Sequence, residues 1–370
     1  MSLFGLQHGL HGLHGLHGLH GLHGLHGLHG LHGLHGLHGL HGLHGLGADG
    51  DGGGVGLQTS AAALVHAAGL AALPPGGVTA LAPNTAANMA RWAPDIRGLL
   101  LQSLFAPHLS FACNASGRVS VSFDGAAIWS AVRPTPATMA TQTSLVRNYT
   151  DQRGDRGAEI LSQLGSFSAY FAIILGLSAA RNQKTYELMA HVQSLAGYAV
   201  MLPKHMMACR RPDELDTRIM PLVPTPGHSA FPSGHATQAL AMATVLAALV
   251  RSAAGHFPDM DKRIDLMFRQ AHRIAANRTV AGVHFPMDST AGARLGLQIG
   301  RALVGLMSGA MAPAAEMTFN PNADPARDFL HSDLVPDLPP ASGGGTMTRD
   351  PLFAWAWDQA RAEFTLAAGA

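Results

Sequence analysis

The chain has 370 residues, a net charge of +1 and only 13% charged residues, against roughly 25% in an average soluble domain. Such a balance gives no broad basic surface, which argues against nucleic acid as a partner. The two cysteines, Cys113 and Cys209, stand far apart and form no Cys-x-x-Cys metal or redox motif. A basic stretch followed by an apolar run, as in a secretory signal, is not visible near the start. We therefore expect a cytoplasmic protein.

A low-complexity tract fills the first part of the chain, where His-Gly-Leu is repeated thirteen times over residues 8–46. Glycine at every third position matches the collagen pattern, but the tract contains no proline. Glycine also disfavours an α-helix, by about 1 kcal/mol per residue. We therefore expect residues 1–48 to be disordered. The thirteen histidines can bind Zn²⁺ or Ni²⁺ weakly, and this binding would be separate from any catalytic site.

Residues 49–150 are predicted to form an accessory segment. Its alanine-rich part, residues 59–73, is typical of a short helix. Further on, the apolar residues Val119, Val121 and Phe123 alternate with serines, and Asp124-Gly125 follows. This pattern predicts a short strand that ends in a turn.

From residue 151 the pattern becomes helical. Six helices are predicted, over residues 155–164, 167–180, 184–208, 233–254, 260–276 and 286–311. The sequence therefore predicts an all-α bundle over residues 151–312, with its site between facing helices. Two stretches, 160–180 and 234–250, are apolar enough to raise the question of a membrane span. The first contains several polar side chains and the second is shorter than the roughly 20 residues that a span needs, so we expect no membrane span.

The last part of the chain, residues 313–370, is predicted to be a surface loop followed by one packing helix. Asp350 is placed to cap that helix and Pro351 to occupy its first position. Its aromatic side chains are expected to pack on the core.

The first candidate site segment contains Lys204 and Arg211, followed by Pro212. A spacing of seven residues places both cations on one face of a helix, and Pro212 would end that helix. Two solvated surface cations would show the same pattern, so this segment alone is weak support for a site.

The second segment is Pro232-Ser233-Gly234-His235. Ser233 precedes a long apolar stretch and is a good N-cap. The amides of Gly234 and His235 would then point out of the helix start, where the partial positive charge favours an anion. Capping alone would explain the serine but not the histidine.

The third segment contains Arg278, His284 and Asp288. Gly282 and Pro286 suggest that the chain turns between the arginine and the aspartate, and that Pro286 begins a new helix. Asp288 in its first turn can accept a hydrogen bond from the imidazole of His284 and fix its tautomer. Together the three segments supply the donors that suit a tetrahedral oxyanion.

The spacings Lys-x6-Arg-Pro, Pro-Ser-Gly-His and Arg-x5-His-x3-Asp resemble the superfamily that joins type 2 phosphatidic acid phosphatases, bacterial non-specific acid phosphatases and vanadium-dependent haloperoxidases. The resemblance implies a set of groups that bind the phosphoryl oxygens: Lys204, Arg211, Ser233, the amide of Gly234, and Arg278. It also implies that His284, oriented by Asp288, attacks phosphorus to form a phosphohistidine. His235 would protonate the leaving alkoxide and later activate water. The family's third motif usually begins Ser-Arg, whereas this chain has Asn277-Arg278, which removes a hydroxyl but no charge.

Two enzymatic functions fit these residues. The first, which we favour, is a phosphatase that hydrolyses phosphate monoesters and needs no cofactor, because protein cations neutralise the phosphoryl charge. The second is a vanadium-dependent haloperoxidase, which would hold vanadate through His284 and oxidise a halide with hydrogen peroxide. The loop that ends in Gly227-His228 resembles the halide-side loop of those enzymes, with His228 near the halide. A third hypothesis is a non-catalytic oxyanion-binding protein, which would not need His235.

Overall fold

The computed structural model describes residues 80–334 and 346–366. The His-Gly-Leu tract and the helix predicted over residues 59–73 lie outside the described residues. The residues from Asn84 onward belong to one compact unit. Its helices are α1 (Pro94–Phe105), α2 (Pro136–Asn148), α3 (Arg153–Ser162), α4 (Ser168–Leu175), α5 (Gln183–Met207), α6 (Pro212–Leu215), α7 (Gly234–Ser252), α8 (Met260–Val280), α9 (Pro286–Ser308), α10 (His331–Leu334) and α11 (Pro351–Leu366).

A small sheet accompanies the helices. Its strands are β1 (Leu109–Cys113), β2 (Arg118–Phe123), β3 (Ala126–Val132) and β4 (Met317–Phe319), in the spatial order β1-β2-β3-β4. The first three form an antiparallel meander, and β4 pairs parallel to β3. The predicted strand is confirmed as β2, whose Val119, Val121 and Phe123 are buried. Its turn is confirmed as well, since Asp124 and Gly125 both have positive φ angles. The mostly helical class is confirmed, with the sheet as its β component.

Helix α7 lies at the centre of the bundle and packs against α5, α8 and α9. All residues from Ala239 to Ala247 are buried, as expected for a helix that is apolar on every side. The sheet is attached to α9 by two hydrogen bonds: Trp129 Nε1 donates to Ala291 O at 3.0 Å, and Gln298 Nε2 donates to Ile128 O at 2.8 Å. No helix among the described residues combines the length and the apolar run needed to cross a membrane.

The close contact between α7 and α9 depends on three glycines of α9 at intervals of four residues. A Cβ on Gly292 would collide with the carbonyl oxygen of Ser233, and one on Gly296 with that of Thr237. A Cβ on Gly300 would lie 2.6 Å from Thr244 Cβ. The glycines therefore allow the start of α9 to lie directly against the start of α7, where the second and third site segments meet.

Some predicted helix ends were wrong, for identifiable reasons. Helix α4 ends at Leu175 rather than 180, because Gly176 adopts a left-handed conformation with φ +66°. Helix α9 ends at Ser308 for the same reason at Gly309, with φ +73°. Helix α8 continues beyond the predicted 276 to Val280, so Arg278 lies on its last turn. The predicted cap of α11 is confirmed: Asp350 Oδ1 accepts from the amides of Leu352 (2.8 Å) and Phe353 (3.0 Å). Phe353 and Trp357 of this helix are buried, which confirms that its aromatic side chains pack on the core.

Candidate active site

Lys204 and Arg211 do not share a helix face, which corrects the prediction from their spacing. Helix α5 contains Pro203 and ends at Met207, because Ala208 turns left-handed with φ +48°. Arg211 lies beyond that turn and precedes Pro212 at the start of α6. The two cations nevertheless converge. Lys204 Nζ donates to Ser229 O at 2.9 Å, and Arg211 Nη2 reaches the same oxygen at 3.4 Å.

The second segment begins helix α7 as predicted. Ser233 is the N-cap, and its Oγ accepts from the amide of Ala236 at 3.4 Å. Gly234 is the first helical residue, so its amide has no acceptor within the helix. A Cβ placed on Gly234 would lie 3.6 Å from Lys204 Cε. The side chain of Lys204 therefore packs against the start of α7.

The third segment turns between α8 and α9 as predicted. Gly282 has φ +81°, Pro286 opens α9, and Asp288 lies in its first turn. Asp288 Oδ2 accepts two hydrogen bonds at 2.9 Å, from His284 Nδ1 and from the amide of Phe285. The main-chain oxygen of Asp288 also accepts from the amide of Ser233 at 2.9 Å, which ties the third segment to the second.

The tautomer of His284 follows from its two neighbours. Asp288 presents an acceptor to Nδ1, so Nδ1 carries the proton. Arg211 Nη1 lies 3.0 Å from Nε2, and arginine can only donate. His284 Nε2 therefore carries a lone pair, which points to the Arg211 guanidinium. The same guanidinium contacts His228, whose Nδ1 lies 3.0 Å from Arg211 Nη2.

The site concentrates positive charge in the protein interior. Lys204, Arg211 and Arg278 are exposed by only 1%, 2% and 1%, and Asp288 is the one carboxylate that is buried among the described residues. Burial, together with the charge of Arg211, lowers the pKa of Lys204 well below its usual range. Burial also lowers the pKa of Arg211 and of Arg278 to about 10. Buried cations are unfavourable unless they are paired with negative charge, and an oxyanion would supply that charge.

Both histidines of the motifs are uncharged at neutral pH. Burial, followed by the charge of Arg278, lowers the pKa of His235 to about 3. Burial and the charges of Arg211 and Lys204 hold the pKa of His284 well below its usual range. Burial raises the pKa of Asp288, while the amide of Phe285 and the nearby cations oppose this effect. A neutral His284 retains the Nε2 lone pair that a nucleophile requires.

His228 is exposed at the edge of this cluster. Besides the contact with Arg211, its own main-chain oxygen accepts from Arg211 Nε at 3.0 Å. Burial and the charges of Lys204 and Arg211 lower its pKa to about 4. The structure therefore brings His228 to Arg211, next to the predicted oxyanion site, while its predicted contact with a halide stays a prediction.

Sequence reasoning did not identify the polar residues that form hydrogen bonds with Arg278 and its neighbour Asn277. Gln163, one residue beyond the end of α3, is fully buried. Its Oε1 accepts at 3.0 Å from both Arg278 Nη2 and Asn277 Nδ2. Asn277 Nδ2 also donates to Glu159 Oε1 at 2.9 Å. The amide that replaces the family's usual serine thus contacts helix α3, and no short motif in the sequence marks Glu159 or Gln163.

The site residues from Lys204 to Asp288 fall within a recognisable family region. Residues 186–311 match the model of the PAP2 superfamily. Among solved structures, the chain is similar to the first transmembrane PAP2 type phosphatidylglycerolphosphate phosphatase from Bacillus subtilis. The identity is 24%, the match covers 45% of this chain and 84% of that chain, and the TM-score is 0.34. The search of curated proteins returned no match. Residues 186–311, which carry all three site segments, are therefore similar in sequence to the PAP2 superfamily.

Proposed function

We propose that this protein is a phosphatase that hydrolyses phosphate monoesters through a phosphohistidine on His284. The observation that carries the proposal is the orientation of His284 within a buried group of cations. Asp288 binds Nδ1–H, and Nε2 faces Arg211. The match of residues 186–311 to the model of the PAP2 superfamily supports the same reaction class.

Substrate binding would neutralise the buried cations. Lys204, Arg211 and Arg278 would donate to the phosphoryl oxygens, together with Ser233 and the free amide of Gly234. Each hydrogen bond to a charged group contributes about 1.5–3 kcal/mol. Because these donors are fixed by the fold, they also stabilise the charge that develops on the oxygens in the transition state. In this proposal no metal ion is needed.

In the first chemical step, His284 Nε2 would form a bond to phosphorus as the bond to the leaving oxygen breaks. The hydrogen bond from Arg211 Nη1 to Nε2 must first be exchanged for one to a phosphoryl oxygen. Asp288 would stabilise the positive charge that develops on the ring. The leaving oxygen takes up a proton by way of His235.

In the second step, water would attack phosphorus, the P–N bond would break, and inorganic phosphate would be released. His235 would accept the proton of the attacking water. Since its pKa is depressed, His235 is neutral in the free protein. The proton for the first leaving group would therefore arrive with the substrate, as the phosphomonoester monoanion. Positioned proton transfer of this kind contributes roughly 10²–10⁴ in rate.

The direct test is phosphate release from p-nitrophenyl phosphate by the purified protein. We expect turnover in the wild type and its loss in His284→Ala. The matched control is His205→Ala, which changes an exposed histidine next to Lys204 and should retain activity. Undiminished turnover in His284→Ala would refute the assignment of the nucleophile.

One observation supports a vanadium-dependent haloperoxidase as a second candidate: His228 lies exposed beside Arg211, where a halide could reach the cluster. The same donors fit vanadate, which is tetrahedral like phosphate, and His284 Nε2 would be its ligand. Bound vanadate would supply the peroxide chemistry. The discriminating assay adds vanadate, hydrogen peroxide and bromide, and measures bromination of a phenolic acceptor. Strong bromination with negligible phosphate release would reverse the order of the two candidates.

A non-catalytic oxyanion-binding protein is the third candidate. Such a protein would have no use for proton transfer, so His235→Ala should leave its function intact. In a phosphatase, His235→Ala should reduce turnover strongly while phosphate still binds.

A further inference from the structure

Helix α3 and the residue that follows it lie outside the region matched by the family, yet one side of this segment contacts the third motif. Arg153 Nε donates to Val280 O at 2.9 Å, and Arg156 Nη1 donates to Asn277 Oδ1 at 3.2 Å. One turn further on, Ile160 O accepts from Arg278 Nη2 at 3.1 Å. The last turn of α8, which carries Arg278, is therefore held by α3 along its length.

Gln163 makes the most specific of these contacts. Its Oε1 accepts from Arg278 Nη2 and from Asn277 Nδ2, both at 3.0 Å, and its Nε2 donates to Glu159 Oε1 at 3.1 Å. The amide orientation is fixed, because the reverse orientation would place donors against donors and an oxygen against a carboxylate. The side chain is fully buried, so water does not replace these bonds.

These contacts occupy one terminal nitrogen of the Arg278 guanidinium and leave its Nε without a partner in the part of the chain that the structure describes. Nη2 uses its hydrogens on Ile160 and Gln163, whereas the buried Nε has no partner among the described residues. Because the guanidinium is planar and rigid, fixing one terminal nitrogen fixes the directions of the others. The Nε–H of Arg278, unpaired among the described residues, is thus held in a fixed direction and is available to an oxyanion.

The main chain of Gln163 contacts the second motif as well. Gln163 O lies 2.9 Å from His235 Nε2, and a carbonyl oxygen can only accept. The proton of the neutral ring is therefore on Nε2, which leaves the lone pair on Nδ1 as the position for proton transfer. The ring also packs beside Phe167, with centroids 6.0 Å apart.

We infer that Gln163 is a positioning residue that orients Arg278 through its side chain and His235 through its main-chain oxygen. The inference rests on the proposed function, since it assigns Gln163 to the geometry of the same reaction. A single residue outside the matched region thus contacts both Arg278, which would bind the oxyanion, and His235, which would transfer the proton.

The test is a double-mutant cycle between Gln163→Met and Arg278→Met, read out as the dissociation constant for inorganic phosphate and as kcat and KM. Gln163→Met removes the acceptor of Arg278 but keeps the main-chain bond to His235. We expect at least a tenfold weaker binding of phosphate, with KM raised more than kcat is lowered. In the Arg278→Met background the second substitution should change phosphate binding by less than twofold, because the group that it orients is gone.

The matched control is Gln193→Met. The side chain of Gln193 donates to Gly165 O at 3.0 Å, so it supports the same loop without contacting Arg278. This variant should keep phosphate affinity within twofold of the wild type. A loss in Gln193→Met equal to that in Gln163→Met would show that general loosening of the loop is responsible, and would overturn the inference.

A second variant covers the case in which Gln163→Met does not fold. Gln163→Asn keeps an amide but is shorter by one methylene group, so its oxygen is drawn back from Arg278 and no charge is added beside Glu159. We expect at least tenfold weaker phosphate binding at neutral pH, again only when Arg278 is present. Unchanged phosphate affinity in a folded Gln163 variant, with a functional wild type, overturns this inference alone. A wild type that neither binds phosphate nor hydrolyses a phosphomonoester overturns the proposed function and this inference together.

Discussion

Asp288→Asn should separate oxyanion binding from chemistry. The substitution keeps the shape of the side chain and an oxygen that can accept from His284 Nδ1 and from the amide of Phe285, but it removes the charge. Asp288 is the one carboxylate that is buried among the described residues. Its loss therefore removes the negative charge that balances the imidazolium formed when His284 attacks.

The expected magnitude follows from the single bond between the two side chains. Asp288 Oδ2 lies 2.9 Å from His284 Nδ1, and hydrogen bonds to charged groups contribute about 1.5–3 kcal/mol, against about 0.5–1.5 kcal/mol for neutral ones. The difference, roughly 1–1.5 kcal/mol of transition-state stabilisation, lowers kcat by about 5- to 13-fold, at 1.36 kcal/mol for each factor of ten. Phosphate should bind as well or better, because Lys204 and Arg211 lose their negative neighbour.

The assay is steady-state hydrolysis of p-nitrophenyl phosphate, together with calorimetric titration of phosphate. Asp265→Asn is the matched control, since Asp265 is half exposed and pairs with Arg269 on the surface; it should behave as the wild type. An Asp288→Asn variant with unchanged kcat would refute the proposal that the negative charge of Asp288 stabilises the imidazolium form of His284. A variant that loses phosphate binding in proportion to kcat would show that the aspartate acts on binding instead.

Two further predictions concern packing and pH. Gly296→Ala places a Cβ against the carbonyl oxygen of Thr237. We therefore expect the free energy of unfolding, measured with urea, to fall by about 1–3 kcal/mol. A variant as stable as the wild type would show that α7 and α9 are not in such close contact. For pH, the lowered pKa values of His235 and His284 keep both rings neutral down to acidic pH, so His284 does not have to lose a proton near neutrality. Above pH 7 the limiting event for an alkyl phosphomonoester is then loss of the substrate's own proton, with a pKa of about 6, so kcat/KM should fall about tenfold per pH unit. Below pH 7, ionisation of Asp288, whose pKa burial raises to about 7, opposes this fall. A kcat/KM that rises between pH 8 and 9 would contradict the assignment.

The sequence predicted the parts of the site that depend on local signals. Ser233 could be recognised as an N-cap because it precedes a long apolar stretch, and Asp288 could be placed beside His284 because Pro286 fixes the start of α9. The strand from Arg118 to Phe123 was visible because its side chains alternate between buried and partly exposed positions.

Other parts were set by tertiary structure and could not be predicted. The spacing of Lys204 and Arg211 suggested one helix, but Ala208 ends it in a left-handed conformation. Alanine normally favours a helix, so the sequence gives no sign of this end. Strand β3 was missed because its partners and its contacts with α9 bury it without a clear alternation. Gln163 was overlooked because a single glutamine near the end of a helix carries no signal until the fold places it against Arg278.

The domain boundaries, the cytoplasmic location and the separation of phosphatase from haloperoxidase stay predictions. The surface loop predicted after residue 313 is partly packed, since Gln142 Nε2 donates to Pro325 O (2.8 Å) and Arg327 O (2.9 Å). Helix α2 is thereby joined to the segment after β4.

The most direct test of the central claim is to trap the phosphorylated protein. The wild type and His235→Ala would be incubated with a phosphomonoester, quenched in alkali, where phosphohistidine survives, and analysed by peptide mass spectrometry. With p-nitrophenyl phosphate, whose leaving group departs without a proton, we predict phosphate on His284, more of it in His235→Ala because only the second step is slowed, and none in His284→Ala. Turnover by the wild type with phosphate on another residue, or with no phosphorylated protein in any of these variants, would contradict the account.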